Sequence, residues 1–339
     1  MERNEQKHAQ ELYAGLTRRF AALNGQVRID MSGGGVQWRC SAERGSRSCW
    51  IGCFEASGPE FLTSFEEGGR KVAIGRSSSD GDTVDAVWHW LEANPLPTLY
   101  DRFRFVDWEK RKLMAISACM TKNFPNLRSG VESELTVTGS GVSHLWYRTE
   151  SRAAHILFTA RTENPDAAFY WDDCELFRFN ATDCTALGAV LSRWLGGNAP
   201  PSSLRSEFPW LEIGRLADYY EKGRPVEGEF IESWDRVEQI YEGSRFPTRA
   251  RILPFIADLR KAGYDRKLRA GQSIWSLIVS RSRRPRVRPE QPLVSFQFHE
   301  DTMELFSSNG GEERIPVVPI GLSDTVQRAL ERLVERPID

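Results

Sequence analysis

The sequence predicts an α+β fold built from two, and on weaker grounds three, repeated modules, each an antiparallel β-meander covered by a helix. Alternating apolar runs between turn residues predict the strands, and apolar residues spaced three and four apart predict the helices. A Trp-Leu pair at Trp90 recurs 104 residues later at Trp194, and a Phe-x-aromatic pair at Phe103 recurs 105 residues later at Phe208. Self-similarity at a fixed spacing predicts duplicated units, joined here by helical connectors.

The first module is predicted to span residues 1–122. An amphipathic helix over 3–24 places Leu12 and Leu16 on one face and ends at Asn24-Gly25. A helix that Asp82 can cap and a further helix over 107–122 follow the meander. The strands of this meander are expected over 27–29, 36–40, 49–54, 61–65 and 72–74.

The second module is predicted to span residues 123–230 and to repeat this order. Its helix should cover about 182–195, capped by Thr182 or Asp183, before a Gly- and Pro-rich break at 196–201. The matching segments 99–106 and 204–211 are expected to cover a sheet edge or a helix end. Strands are expected around 135–137, 144–147, 155–158, 168–171 and 176–179.

Residues 231–339 are predicted to hold a helical connector and a third, basic module. The connector should contain two helices over 231–263, the second ending at Gly263. The final helix begins with Thr325-Val326, which echoes Thr83-Val84, but an identity of two residues arises easily by chance. The expected strands cover 274–279, 293–298 and 303–306.

Trp90 and Trp194 admit two interpretations. They could form a platform for a ligand, or they could pack from the helix into the sheet. Both lie beside leucine at helical spacing, which favours core packing, and an antiparallel sheet with one apolar face needs such a cover.

Composition limits the class of protein. The chain has 339 residues with 40% apolar residues, enough for packed cores, and its net charge of −2 implies no global attraction to nucleic acid or membrane. The polar first ten residues do not resemble a secretory signal, and the longest apolar run, over 274–279, is far too short to span a bilayer. We therefore expect a soluble, cytoplasmic protein without a membrane partner.

Six cysteines occur without C-x-x-C spacing: Cys40, Cys49, Cys53, Cys119, Cys174 and Cys184. Cys49 and Cys53 have the same parity on one predicted strand and Cys40 lies on its neighbour, so a cluster of three thiolates is conceivable. Small packed thiols in a reducing compartment are the favoured interpretation.

The strongest anomaly is electrostatic. Residues 245–288 contain thirteen Lys or Arg residues, eleven of them Arg, against two acids, Asp258 and Asp265. Such asymmetry predicts an anionic partner or an acidic face elsewhere in the molecule. The candidate anion-binding residues are Arg266, Lys267, Arg269, Gln272, Ser273, Arg281, Arg283, Arg284 and Arg286.

Three uses compete for this basic segment: a solvated or internally neutralised surface, a nucleic-acid surface, and a site for another anionic ligand or an acidic protein. No RRM, zinc-finger or basic-zipper signature favours nucleic acid. Tyr264 could stack on bases, whereas Trp275 should face the core. The anionic-partner hypothesis fails if the arginines diverge in space or are each neutralised by a carboxylate of this chain.

Signals for catalysis are weak, and we assign no catalytic residue, metal site or cofactor. The run Gly139-Ser140-Gly141 joins two strands and is better explained as a hairpin turn than as a phosphate loop. Asp172, Asp173 and Glu175, with His155, could hold a divalent metal, but two successive Asp residues also suit a turn.

The leading hypothesis is a non-enzymatic binding or interaction protein that engages nucleic acid, a phosphorylated ligand or an acidic protein through its basic segment. The alternative is an enzyme with a site between modules, in which the arginines bind a phosphorylated or carboxylated substrate. Asp172, Asp173 or His155 would then supply acid–base chemistry.

Overall fold

The structure is a computed structural model. Three five-stranded antiparallel sheets, each with flanking helices, confirm the predicted α+β class. The structure describes residues 2–23, 25–34, 37–55, 58–128, 130–138, 142–158, 162–244, 249–273, 276–284, 291–308 and 313–338. Among the predicted features, the hairpin at 139–141 and the side chains of Trp275 and Arg286 lie outside these residues.

The first sheet has the order β1-β2-β3-β4-β5, a simple meander. The helix that precedes it ends at Phe20 and passes into a short 3-10 turn. The elements are α1 (Glu2–Phe20), β1 (Arg28–Gly34), β2 (Gln37–Arg44), β3 (Arg47–Glu55), β4 (Pro59–Glu67), β5 (Arg70–Ser77), α2 (Asp80–Leu91) and α3 (Leu96–Arg102).

The second sheet has the order β10-β9-β8-β7-β6 and is likewise a meander. Its following helix, α5, continues into a π-helical turn over Ser192–Gly196. The elements are α4 (Trp108–Asn123), β6 (Glu132–Val137), β7 (Ser143–Arg148), β8 (Arg152–Leu157), β9 (Asp166–Trp171), β10 (Cys174–Asn180), α5 (Cys184–Leu191) and α6 (Pro201–Glu207).

The third sheet has the order β11-β12-β13-β14-β15. The long helix before it, α8, begins at Pro225 rather than at the predicted residue 231, because proline at the first helical position has a dihedral angle suited to starting a helix. The elements are α7 (Leu216–Glu221), α8 (Pro225–Gly243), α9 (Arg249–Lys261), β11 (Arg269–Ser273), β12 (Ser276–Ser280), β13 (Leu293–Phe298), β14 (Thr302–Ser307), β15 (Glu313–Pro319) and α10 (Asp324–Val334).

The chain folds into two compact units. The first comprises residues 1–167 and 180–196, and the second comprises 168–179 and 197–339. In the first unit, α1 and α2 cover one face of the first sheet, where Leu16, Ile51, Phe65 and Trp90 are buried. In the second unit, the helices α8, α9 and α10 pack on the third sheet.

Trp90 and Trp194 are 1% and 0% exposed, which confirms that both pack in a core.

The predicted cap of α2 is wrong, whereas one of the two caps predicted for α5 is observed. Ser79, rather than Asp82, caps α2, because its hydroxyl accepts a hydrogen bond from the backbone N–H of Asp82. Asp183 caps α5 in the same way.

The segment after α3 covers a sheet edge, as predicted for residues 99–106. Val106 forms a single antiparallel bridge with Gly75 on β5, the edge strand of the first sheet. A side chain at Gly75 would meet the ring of Phe105 at 2.9 Å, so glycine permits this close approach.

The expectation that all six cysteines are thiols is wrong for one pair. Cys119 on α4 and Cys184 at the start of α5 form a disulfide across 65 residues. Their spacing carries no pairing signal, because only folding brings the two helices together. Cys40, Cys49 and Cys53 are buried free thiols, as packing predicts.

Neither a membrane-spanning helix nor a metal centre is found among the residues that the structure describes. No helix there has both the length and the apolar composition needed to cross a membrane. In the same residues, no group of three or more His, Cys, Asp or Glu side chains is arranged to hold a metal ion.

Candidate anion-binding site

Six of the nine candidate residues converge at one end of the β11–β12 hairpin in the second unit. Arg269 opens β11 and lies opposite Ser280, the last residue of β12. Because antiparallel pairing brings the start of one strand to the end of the next, the residues before β11 and after β12 meet there. We call this set the cationic cluster: Arg266, Lys267, Arg269, Arg281, Arg283 and Arg284.

Gln272 and Ser273 do not join the cationic cluster. Ser273 pairs with Ser276 at the opposite end of the hairpin. Four residues of extended strand separate it from Arg269, a distance of about 13 Å. The predicted pocket that combined Gly271-Gln272-Ser273 with the arginines is therefore not formed by these side chains.

A buried carboxylate, that of Glu229, contacts two arginines of the cationic cluster. Glu229 on α8 is 4% exposed, and its Oε1 accepts a hydrogen bond of 3.0 Å from Nε of Arg283. The hydroxyl of Tyr220, on α7, also donates to Glu229, and Nη1 of Arg284 lies 3.8 Å from its Oε2. These contacts fix the guanidinium of Arg283 and satisfy a carboxylate that would be costly to bury alone.

A second carboxylate and a turn carbonyl complete the contacts of these arginines. Nη2 of Arg283 lies 3.6 Å from Oδ2 of Asp172, and Arg284 donates to the Asp172 backbone carbonyl. Asp172 and Asp173 form the two-residue turn between β9 and β10, with φ of 45° and 61°. Positive φ at both positions is the requirement of a type I′ hairpin, which explains the Asp-Asp pair on conformational grounds.

Burial and pairing shift the proton affinity of these groups in opposite directions. Burial lowers the pKa of Arg269, an effect that nearby Glu229 partly offsets. Burial also acts to lower the pKa of Arg283, but its hydrogen bonds to Glu229 and Tyr220 outweigh this and raise it. Burial thus disfavours the charged form of Arg269, whereas pairing favours the charged form of Arg283.

Backbone carbonyls accept the hydrogen bonds of two further arginines of the cluster, Arg269 and Arg281. Arg281 donates to the carbonyl oxygens of Lys267, at 2.8 Å, and Arg336, at 2.5 Å, and Arg269 donates to the carbonyl of Arg283 at 2.9 Å. The described part of the chain provides no ion pair for four members of the cluster: Arg266, Lys267, Arg269 and Arg281. Six cations thus face two carboxylates, and the excess charge is positive.

Sequence reasoning missed the groups that support this site. Glu229 sits among buried residues of α8, and Tyr220 lies nine residues earlier on another helix. The only available signal was a charged residue beside the apolar pair Phe230-Ile231, which is too common to interpret. Cys174 is a half-buried free thiol whose pKa is raised by burial, so it does not have the character of an activated nucleophile.

The residues proposed for acid–base chemistry are not gathered within one compact unit. His155 belongs to the first unit, where its Nε2 lies 2.8 Å from Nδ1 of His144 and its ring stacks on Trp146 at 4.1 Å. Asp172 and Asp173 belong to the second. The enzymatic alternative stays a prediction.

Comparison with known proteins gave no match: no family model, no curated protein and no solved structure is similar to this chain.

Proposed function

We propose that this protein is a non-enzymatic binding protein that engages an acidic segment of another protein through the cationic cluster. One observation carries the proposal: six cations lie at one end of a hairpin, and among the described residues their ion pairs are with two carboxylates, Glu229 and Asp172. Charge of one sign gathered in this way attracts a partner of the opposite sign and orients it.

The fixed geometry of the arginines supports recognition of carboxylates. Backbone carbonyls and Glu229 hold Arg281, Arg283 and Arg284 in place, so less rotamer freedom is lost on binding. A planar guanidinium matches a carboxylate or a phosphate through two parallel hydrogen bonds. Arg266 and Lys267 are exposed and extend the charge toward solvent.

Two features favour an acidic protein segment over nucleic acid. Tyr220, the tyrosine that hydrogen bonds to Arg283, is buried and engaged with Glu229, so it offers no face for base stacking. The chain has a net charge of −2, so a long polyanion gains no attraction from the molecule as a whole.

The test is fluorescence anisotropy with a labelled decaglutamate peptide, and with a labelled oligothymidine in parallel. We expect the peptide to bind, with affinity that falls as salt rises. Arg266→Glu should weaken binding about fivefold or more, because it replaces attraction by repulsion. Arg328→Glu is the matched control: it changes net charge equally, but Arg328 is an exposed residue of α10 and is not a member of the cationic cluster.

Three results would contradict the proposal. One is a peptide affinity that Arg266→Glu and Arg328→Glu reduce equally, since this would indicate only a global charge effect. The second is tighter binding of the oligothymidine, with a steep salt dependence, which would assign the cluster to nucleic acid. The third is no measurable binding of either probe at low salt.

A further inference from the structure

The first strand of the first sheet, β1, has an open edge. β1 pairs with β2 on one side, and among the residues that the structure describes no strand pairs with its other side. The opposite edge of this sheet differs, because the segment around Val106 covers β5. An open edge strand presents backbone groups with which the strand of another chain can pair.

The register of the sheet identifies which backbone groups of β1 face outward. A two-residue turn over 45–46 joins β2 to β3, so Arg44 and Arg47 form a hydrogen-bonded pair. Bonding alternates along β2 from there, so Ser41 bonds to Asp30 of β1 and not to β3. The outward N–H and C=O groups therefore belong to the odd-numbered residues of β1: Ile29, Met31 and Gly33.

These outward groups have no partner in the described part of the chain. No hydrogen bond within it reaches the backbone of Ile29, Met31 or Gly33 from the open side. Three donors and three acceptors thus lie in a row on an extended strand, at the spacing that a further antiparallel strand requires.

The two faces of β1 differ in chemistry. Ile29 and Met31, with Val27 just before the strand, are half-buried and pack against the core of the first unit. Arg28 and Asp30 are exposed on the other face, where Nε of Arg28 lies 2.7 Å from Oδ2 of Asp30. The open edge therefore presents an apolar row on one face and one charge of each sign on the other.

We propose that β1 pairs with β1 of a second copy of this chain, antiparallel about a two-fold axis at Ile29. In this register, Arg28 of each copy lies opposite Asp30 of the other, at a position where no backbone bonds cross and side chains approach most closely. The contact uses the same surface of both copies, as a two-fold interface requires.

Charge selects this register over its neighbours. Outward groups must meet outward groups, so one strand can shift against the other only in steps of two residues. One such step places Asp30 opposite Asp30, and a step in the other direction places Arg28 opposite Arg28. Like charges directly opposite each other destabilise a strand pair, whereas opposite charges stabilise it.

The same register joins the apolar rows of the two copies. It places Ile29 opposite Ile29, and Val27 of each copy opposite Met31 of the other. These side chains are half-buried at the edge of a core, so a neighbouring strand would remove further apolar surface from water. Both faces of β1 thus favour a second copy in one arrangement.

The first test is sedimentation equilibrium of the full chain over a range of concentrations. We expect association from 38.6 kDa to twice that mass. Arg28→Asp and Asp30→Arg should each raise the dissociation constant about tenfold or more, because each places like charges opposite each other in both pairs. Arg70→Asp is the matched control: it changes net charge as Arg28→Asp does, but Arg70 is an exposed residue of β5 at the other edge of the sheet.

A second test isolates the contact between copies from effects within one chain. The Arg28→Asp protein carries two acids at these positions, and the Asp30→Arg protein carries two arginines. A mixture of the two restores opposite charges across the strand pair, so native mass spectrometry should show a heterodimer where each variant alone is monomeric. The double variant Arg28→Asp/Asp30→Arg exchanges the two charges and should dimerise as the wild type does.

A wild-type chain that stays monomeric at every concentration tested would overturn the proposal and leave the edge to a segment of a different protein. A dimer that survives both single variants would place the interface elsewhere. A mixture that forms no heterodimer, although circular dichroism shows both variants folded, would refute the register. These readouts are independent of the decaglutamate assay, since β1 and the cationic cluster lie in different compact units.

Discussion

Arg152 lies over the ring of Trp194, with its guanidinium carbon 4.1 Å from the ring centroid, and donates a 3.0 Å hydrogen bond to the carbonyl of the same residue. The first module contains the same arrangement: Arg47 lies 3.9 Å from the centroid of the Trp90 ring and donates to the Trp90 carbonyl at 3.0 Å. Each arginine begins the third strand of its sheet, and each tryptophan belongs to the helical segment that follows the sheet. The repeat thus includes an interaction as well as a pattern.

Arg152→Ala should lower the free energy of unfolding by about 2–4 kcal/mol, because Arg152 is 5% exposed and both its ring contact and its carbonyl hydrogen bond are lost. Burial lowers the pKa of this guanidinium to about 10, yet it stays charged at neutral pH. Arg148→Ala is the control, since Arg148 lies 4.4 Å from the Trp146 ring with its side chain 47% exposed. Urea unfolding should separate the two variants, and equal losses would refute the structural role of Arg152.

The sequence predicted those parts of the fold that depend on local patterns of residues. Strands and helices follow from periodicities of two and 3.6 residues. These patterns predicted a range overlapping every strand of the first two sheets, but they missed β11 and β15 of the third. The Trp90 and Trp194 repeat was visible, whereas its partners Arg47 and Arg152 were not recognised, although they lie 105 residues apart. An isolated arginine at a strand start resembles any exposed residue until the helix is packed against it.

The candidate site was predicted in part for the same reason. The density of arginine is a property of the sequence, and hairpin pairing brings residues before β11 and after β12 together. The carboxylates come from elsewhere in the chain: Glu229 is 54 residues before Arg283, and Asp172 is farther still. Their proximity to the arginines depends on tertiary packing, which the periodicity of a sequence does not reveal.

Reduction of the disulfide between Cys119 and Cys184 should destabilise the first unit. Closing a loop of 65 residues restricts the unfolded chain, and this corresponds to roughly 4 kcal/mol in the chain-entropy description. Cys119→Ser should therefore lower the melting temperature to the value that the wild type shows in dithiothreitol, and the reductant should leave the variant unchanged. Cys174→Ser provides the control, since Cys174 is a free thiol. A melting temperature of the wild type that is insensitive to dithiothreitol would contradict this expectation.

Acidification should weaken the fold through His89. Burial, followed by the charge of Arg102, lowers the pKa of His89 below its ordinary value of 6.5. The unfolded chain then binds a proton below pH 6.5 that the folded chain resists, so the stability present above pH 6.5 is lost as pH falls. The neutral ring also suits its contact with Thr98, whose hydroxyl donates to Pro95 at 2.7 Å and so accepts from Nε2 at 3.0 Å.

The measurement is the urea midpoint at pH 7.5 and pH 5.5. His89→Gln should reduce the loss on acidification, while His299→Gln, at a side chain 44% exposed, should not. The slope attributable to His89 cannot exceed about 1.4 kcal/mol per pH unit, because it reflects one proton. An identical pH dependence of wild type and His89→Gln would exclude this residue as a source.

Glu229→Gln should separate stability from binding. Removing the charge leaves Arg283 without its buried partner, so we expect a loss of about 3 kcal/mol in the free energy of unfolding. The same change raises the net charge of the cationic cluster by one, so the folded variant should bind decaglutamate more tightly than the wild type does. Glu227→Gln controls for the general effect of one lost acid, because Glu227 pairs instead with Arg224, the residue that precedes α8. Weaker peptide binding by the folded Glu229→Gln protein would contradict this prediction. It would show that the position of the arginines, which Glu229 fixes, affects binding more than the added positive charge does.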